Sequence, residues 1–210
     1  AVIERPRLWW CRGLGEQHLY TFRAELLASG RLAAARQVRT GLRSIRLVRE
    51  KDAWGTSFRF ELNGVPVFAK GANHIPLDSF VTRVTRERYE HEIASAAQSN
   101  MNMLRVWGGG IYEDDAFYDL CDEYGILVWQ DFMFACSLYP GDEAFLENVR
   151  IEAEQNVKRL RNHPCIALWC GNNEIDTAWS HYIEHAGWGW KQQYPPELRE
   201  KLWADYEKLF

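Results

Sequence analysis

MNMLRVWGGGIYEDDAFYDLCDEYGILVWQDF, residues 101–132, contains the pattern that decides the fold. MNMLRVW reads as a strand, DDAFYDLCDEYG (114–125) as a helix and ILVWQDF as another strand. The helix sets Phe117, Leu120, Cys121 and Tyr124 on one face, and Gly125 supplies its stop. Strands in unbroken apolar runs, joined through an amphipathic helix, indicate a parallel sheet covered by helices.

The same rhythm extends in both directions. VPVFAKGAN reads as a preceding strand, followed by a helix over 85–100 with Tyr89, Ile93, Ala96 and Ala97 on one face. Beyond the central stretch, 142–164 reads as a helix carrying Leu146, Val149, Ala153, Val157 and Leu160, ended by Pro164. CIALWC is a fourth strand and 196–210 a fourth helix. Four such units are half of an eight-stranded (β/α)8 TIM barrel, so the predicted class is α/β.

Upstream, LYTFRAEL (19–26), AARQVRTGL (34–42) and RSIRLVRE (43–50) alternate as short strands. SFRFELNGVPVF places Asn63-Gly64 between two apolar runs, a pair suited to the positive φ values of a type I′ hairpin turn. These strands are too few for a whole sandwich, which needs about seven. The expected division is part of an immunoglobulin-like β-sandwich over 1–62, then the first half of the barrel over 63–210.

Composition narrows the function. The chain has 210 residues, 47% apolar and 26% charged, with net charge −4. That balance implies no broad basic surface for nucleic acid. The longest apolar runs are about five residues, against the ~20 needed to cross a bilayer, so no membrane partner is expected. No signal-peptide core opens the chain, which favours a cytoplasmic location. The five cysteines follow no metal-ligand or disulfide spacing, so neither a metal nor another cofactor is expected. Oligomeric state is not encoded in any motif. Ten tryptophans are unusual, and tryptophan clusters often line sugar-binding clefts.

Every predicted strand ends in polar or aromatic residues: Asn73-His74, Trp107 with three glycines, Asp131, and Asn173-Glu174. In a barrel those ends converge on one mouth. Met103, Arg105 and Trp107 share one strand face, so Arg105 lies a layer below Trp107. A buried arginine needs an anion. None of the four strands offers an obvious one at that depth, so a further strand is expected to supply it. Trp129 and Asp131 share the corresponding face of the next strand, although Asp131 could instead cap the following loop. Glycosidic bond cleavage commonly uses two carboxyl groups, and Glu174 beside an amide suits the proton donor. The glycines 108–110 lack a following GK[ST] and read as a flexible turn rather than a phosphate loop.

SFRFELNGVPVFAKGANHIPLDSF, the 100–140 block and HPCIALWCGNNE resemble the β-mannosidase branch of glycoside hydrolase family 2, with the likeness running from 8 to 174. The resemblance implies a retaining exo-β-mannosidase acting on terminal β-D-mannose of an oligosaccharide. It implies Glu174 as general acid/base and Arg105 as the residue orienting the nucleophile. Asn173, Trp107, Asp131, Asn73 and Trp188 would bind substrate. His74 departs from the pattern, which has an aromatic there. The family's nucleophile, a second Glu from a later strand, has no counterpart, so the chain resembles a middle portion expected to be inactive alone. Other family 2 activities, β-galactosidase or β-glucuronidase, and a non-catalytic carbohydrate-binding role remain alternatives.

Overall fold

The computed structural model describes residues 2–180 and 189–210. Strands β1 (Tyr20–Ala28) and β2 (Arg31–Thr40) form a two-stranded antiparallel ribbon. Its tip, Ser29-Gly30, has φ of 51° and 78°, the positive pair that a type I′ turn requires. A second sheet contains β3 (Ile45–Val48), β4 (Arg59–Leu62) and β5 (Val65–Val67) in that order. The predicted Asn63-Gly64 turn joins β4 to β5, with φ of 51° and 81°.

The run VPVFAKGAN is not one strand. Its first part is β5, paired antiparallel with β4, whereas β6 (Gly71–His74) opens the parallel sheet. Asn102 causes the break: its side chain accepts from Lys70 N at 2.8 Å and donates to Phe68 O at 3.0 Å. These bonds hold the backbone at 68–70 out of either ladder. The expected division at 62/63 falls inside the β4–β5 hairpin, and the parallel sheet starts only at Gly71.

The parallel sheet runs β6, β7 (Met103–Val106), β8 (Leu127–Asp131) and β9 (Ile166–Cys170), in sequence order. Helices α1 (Arg86–Gln98), α2 (Asp115–Tyr124) and α3 (Glu143–Leu160) make the crossovers. The apolar stripe of α1 is buried as its spacing predicts, and that of α2 likewise at Phe117, Leu120 and Cys121, whereas Tyr124 is only partly buried. Asp114 caps α2 by accepting from Ala116 N at 2.9 Å, and Asp142 caps α3 from Phe145 N at 3.0 Å. Helix α3 ends at Leu160, short of Pro164, whose ring would clash with the Leu160 carbonyl in a continued helix and which has no N–H to offer it. Only Leu160 of its predicted stripe is buried. Leu146, Val149 and Ala153 line an open cavity of about 380 Å³ with Phe132, Phe134 and Phe210. After β9 come α4 (Ile175–Ser180), α5 (Trp190–Gln193) and α6 (Pro196–Leu209). None of the described helices is long and apolar enough to cross a membrane.

The antiparallel part grips the floor of the parallel sheet, where its strands begin. Trp9 is fully buried there and donates its indole N–H to Asp122 O at 2.9 Å. Arg43 donates to Pro164 O and Ile166 O, and Arg12 N to Gly125 O at 2.7 Å. Gly125 ends α2 at φ 73°, and a Cβ there would lie 2.7 Å from Arg12 N. Gly125→Ala combines left-handed strain with that clash, and should cost about 2 kcal/mol in denaturant unfolding. An unchanged midpoint would show that this contact is slack.

Candidate active site

The cross-strand register builds the site. Asn73 of β6 pairs with Arg105 of β7, and Arg105 pairs with Trp129 of β8, so these three form one row. Asp131 stands two residues further along β8, on the same face. Its side chain is fully buried and receives four donors. Arg105 Nε and Nη2 bind it at 3.2 and 2.7 Å, Trp129 Nε1 at 3.0 Å, and the Gly108 backbone N–H at 3.0 Å.

This corrects the expectation that Arg105 finds its anion on a further strand. Cα positions along a strand give only the row of a residue, and the arginine side chain reaches past its own row toward the strand tip. A diagonal neighbour is within reach of so long a group. Asp131 in turn has both carboxylate oxygens committed and no exposed surface, so it anchors Arg105 from the neighbouring strand.

Arg105 Nη2 also donates to Asn173 Oδ1 at 2.8 Å, and Nη1 lies 3.4 Å from Asn73 Oδ1. Asn173, buried just beyond β9, is 3.4 Å through Nδ2 from Glu174 Oε2. Glu174 is exposed, at φ +59°. The next peptide N–H, Ile175 N, donates to Asn172 Oδ1 at 3.1 Å and starts α4. The strand therefore turns into a helix within a few residues, and Glu174 sits at the elbow. A left-handed angle costs a long side chain about 1 kcal/mol, and such strain gathers at functional sites.

Trp107 is half-buried, and its indole lies over Gly109: a Cβ there would come within 2.0 Å of the ring. At Gly108 a Cβ would meet Phe132 O and Phe134 O, each at 2.7 Å. The glycine run is thus a packed platform under the indole, not simply a flexible turn. His74 does not reach the mouth. It faces the helix layer, where its ring nitrogens meet Glu92 and Glu113 and its ring lies 4.6 Å from Phe117. Trp188 lies outside the described residues. Strict alternation along β6, inward Asn73 and outward His74, was the signal that separates these two neighbours.

Metal-ligating atoms gather once among the described residues, at Asp122, His163 and Cys165. That cluster lies at the floor, and its groups already have partners. Asp122 accepts from Cys165 N at 2.9 Å and meets His163 Nδ1 at 2.7 Å, while the Cys165 thiol donates to Tyr118 O. Burial pushes that thiol's pKa well up, with Asp122 adding to the effect, so a metal-binding thiolate is disfavoured. The cluster fastens α2 to the start of β9.

Two family models match the sequence: glycosyl hydrolases family 2 over residues 1–43, and the TIM barrel domain of that family over 56–188. The chain belongs to glycosyl hydrolase family 2. It is 49% identical over 175 residues to β-mannosidase B of Thermothelomyces thermophilus, spanning 82% of this chain and 20% of that protein. It is 43% identical over 204 residues to β-mannosidase of Bos taurus, spanning 96% and 22%. The crystal structure of a β-D-mannosidase from Dictyoglomus thermophilum matches with TM-score 0.84 at 48% identity, over 96% of this chain and 25% of that one. The chain therefore spans about a fifth of the length of the curated relatives it matches. Its fold is the first half of the family 2 TIM barrel, preceded by part of a β-sandwich.

Sequence reading missed two residues of this cluster, Trp129 and Gly108, both donors to Asp131. The period-2 pattern placed Trp129 on the right face, but nothing local marks a backbone N–H as a ligand. Asp131→Asn turns one acceptor into a donor facing Arg105 together with either Trp129 Nε1 or the Gly108 N–H. Breaking a buried ion pair on one side should cost about 3 kcal/mol by denaturant unfolding. A loss below ~0.5 kcal/mol, typical of exposed pairs, would mean Asp131 does not anchor the site.

Proposed function

We propose that the protein carrying this chain is a retaining exo-β-mannosidase that releases terminal β-linked mannose from an oligosaccharide. The observation that carries this reading is the chain of contacts Asp131–Arg105–Asn173–Glu174 across the strand tips. Its occurrence in a chain 43–49% identical to named β-mannosidases supports mannose over the other family 2 sugars.

In this mechanism Glu174 protonates the glycosidic oxygen as the bond breaks. Its exposure and its place on the elbow give it access to a leaving group arriving from outside. Asn173, fixed through Oδ1 by Arg105, keeps Nδ2 for a sugar hydroxyl and for Glu174. Trp107 offers a flat apolar wall to the sugar ring, and Asn73 edges the same row.

Attack at the anomeric carbon needs a second carboxylate. Asp131 is unsuited, since it is buried and both oxygens are bonded. We assign the role to a glutamate on a barrel strand outside this chain, oriented by Arg105, and the 210 residues alone should be inactive. The two carboxyls would stand roughly 5–5.5 Å apart, as retention requires. Once the glycosyl-enzyme forms, Glu174 takes a proton from water.

In the whole protein, Glu174→Gln should lower kcat/KM on poor leaving groups about a thousandfold, and on activated aryl β-mannosides much less. Proton NMR of the first-formed sugar should show the β anomer. Equal losses on both substrate types, or an α product, would sink the assignment.

A further inference from the structure

A second polar cluster lies behind the mouth, inside the helix layer. The His74 side chain has no exposed surface. Its Nδ1 is 2.8 Å from Glu92 Oε1 of α1, and its Nε2 is 2.9 Å from Glu113 Oε1. Glu113 also accepts from the Tyr89 hydroxyl at 2.5 Å. Both ring nitrogens thus face carboxylate oxygens, and a neutral imidazole can donate to only one of them.

Position gives this cluster its interest. Glu113 ends the loop that Trp107 begins, just before the Asp114 cap of α2. The Trp107 N–H donates to His74 O at 3.1 Å. His74 therefore holds the loop at both ends, through its carbonyl at Trp107 and its ring at Glu113. Arg159 of α3 adds two 3.1 Å bonds to the Glu113 carbonyl, which leaves the carboxylate to His74 and Tyr89.

We propose that His74 is a positioning residue that, while its ring is doubly protonated, fixes the 107–114 loop and so the Trp107 wall. The inference rests on Trp107 lining the sugar pocket. Ionisation of the ring agrees with it. Burial alone would depress the pKa, but the bonds to Glu113 and Glu92 outweigh it and raise the group to about 9. The ring meets Glu92 of α1, Glu113 of the loop and Phe117 of α2; Tyr89 of α1 bonds the same Glu113, and Cys121 of α2 lies in the field of the same Glu92. The Cys121 thiol is pushed well up, by burial first and then by Asp122 and Glu92, and stays neutral. Burial and then Glu113 raise the Tyr89 hydroxyl, which also stays neutral. A raised histidine pKa gives stabilisation that is complete below the ordinary 6.5 and is lost as pH rises through about 9.

The test measures kcat and KM of the whole protein on an aryl β-mannoside between about pH 6 and 10.5. For the natural sequence, KM should rise about tenfold across a limb centred near pH 9, with kcat far less affected. His74→Gln should show the raised KM at every pH and no limb. If that variant fails to fold, Glu92→Gln serves instead: it keeps the hydrogen bond, removes a charge, and should move the limb to lower pH. A His74→Gln enzyme with natural KM and an intact limb, or a Glu92→Gln limb that stays put, overturns the proposal. Trp107→Ala separates the levels. If it raises KM while His74→Gln does not, only the positioning role falls; if it leaves KM unchanged, the sugar-wall reading falls with it.

Discussion

A guanidinium set into the face of a parallel sheet must be neutralised where it lies, and here Asp131 does so. Removing two charges from water costs several kcal/mol per ion, recovered only when geometry is good and the spare lone pairs are filled. Both conditions hold. The pair meets through two N–H groups of Arg105, and the remaining lone pairs of Asp131 take the Trp129 indole and the Gly108 amide. The ion pair thereby fixes more than itself. It aligns β7 with β8, sets the turn after β7, and leaves Arg105 Nη2 to hold the Asn173 amide beside Glu174. Without Asp131 the rest of the mouth has no reference point.

The two ends of the sheet are held in different ways. At the floor, Trp9 and Arg43 donate to backbone carbonyls, Asp122 meets His163, and the left-handed positions fall to Gly125 and to Asn63 and Asn100, residues that tolerate that angle. At the tips, Glu174 takes a left-handed angle with a full side chain. The peptide around it is held by Asn172 below and by the Asn173 N–H bonded to Phe134 O at 2.9 Å. Local disfavour at the elbow persists because neighbouring bonds determine the backbone there.

What could be read from the sequence follows from the range of the interactions involved. Helix stripes and the Asn63-Gly64 turn depend on neighbours a few residues apart, so periodicity and turn chemistry find them. Ser29-Gly30 makes the same turn but escapes notice, because serine is a weak signal at its first position. The break at 68–70 comes from Asn102, more than thirty residues away. No local pattern can announce that contact. The mouth was legible because strand tips converge in any barrel, whereas the identity of Arg105's anion required knowing how far a side chain leans. His74 is the intermediate case: alternation alone sends it outward, and its glutamate partners appear only once α1 and α2 are packed.

Strand β6 shows how these contacts combine. It is four residues long, at the edge of the described sheet, with β7 as its only ladder partner. Gly71 lets it approach closely, since a Cβ there would come within 1.8 Å of Met103 O. A short strand bonded along one edge is weakly registered by its backbone alone. Its side chains supply the rest from both faces: Asn73 inward toward Arg105, His74 outward to Glu92 and Glu113. A slip of one residue would exchange those faces, placing an amide among carboxylates and an imidazole against a guanidinium. The two polar networks therefore exclude the same error from opposite sides, and the register that aligns the mouth is set jointly by the mouth and by the layer behind it.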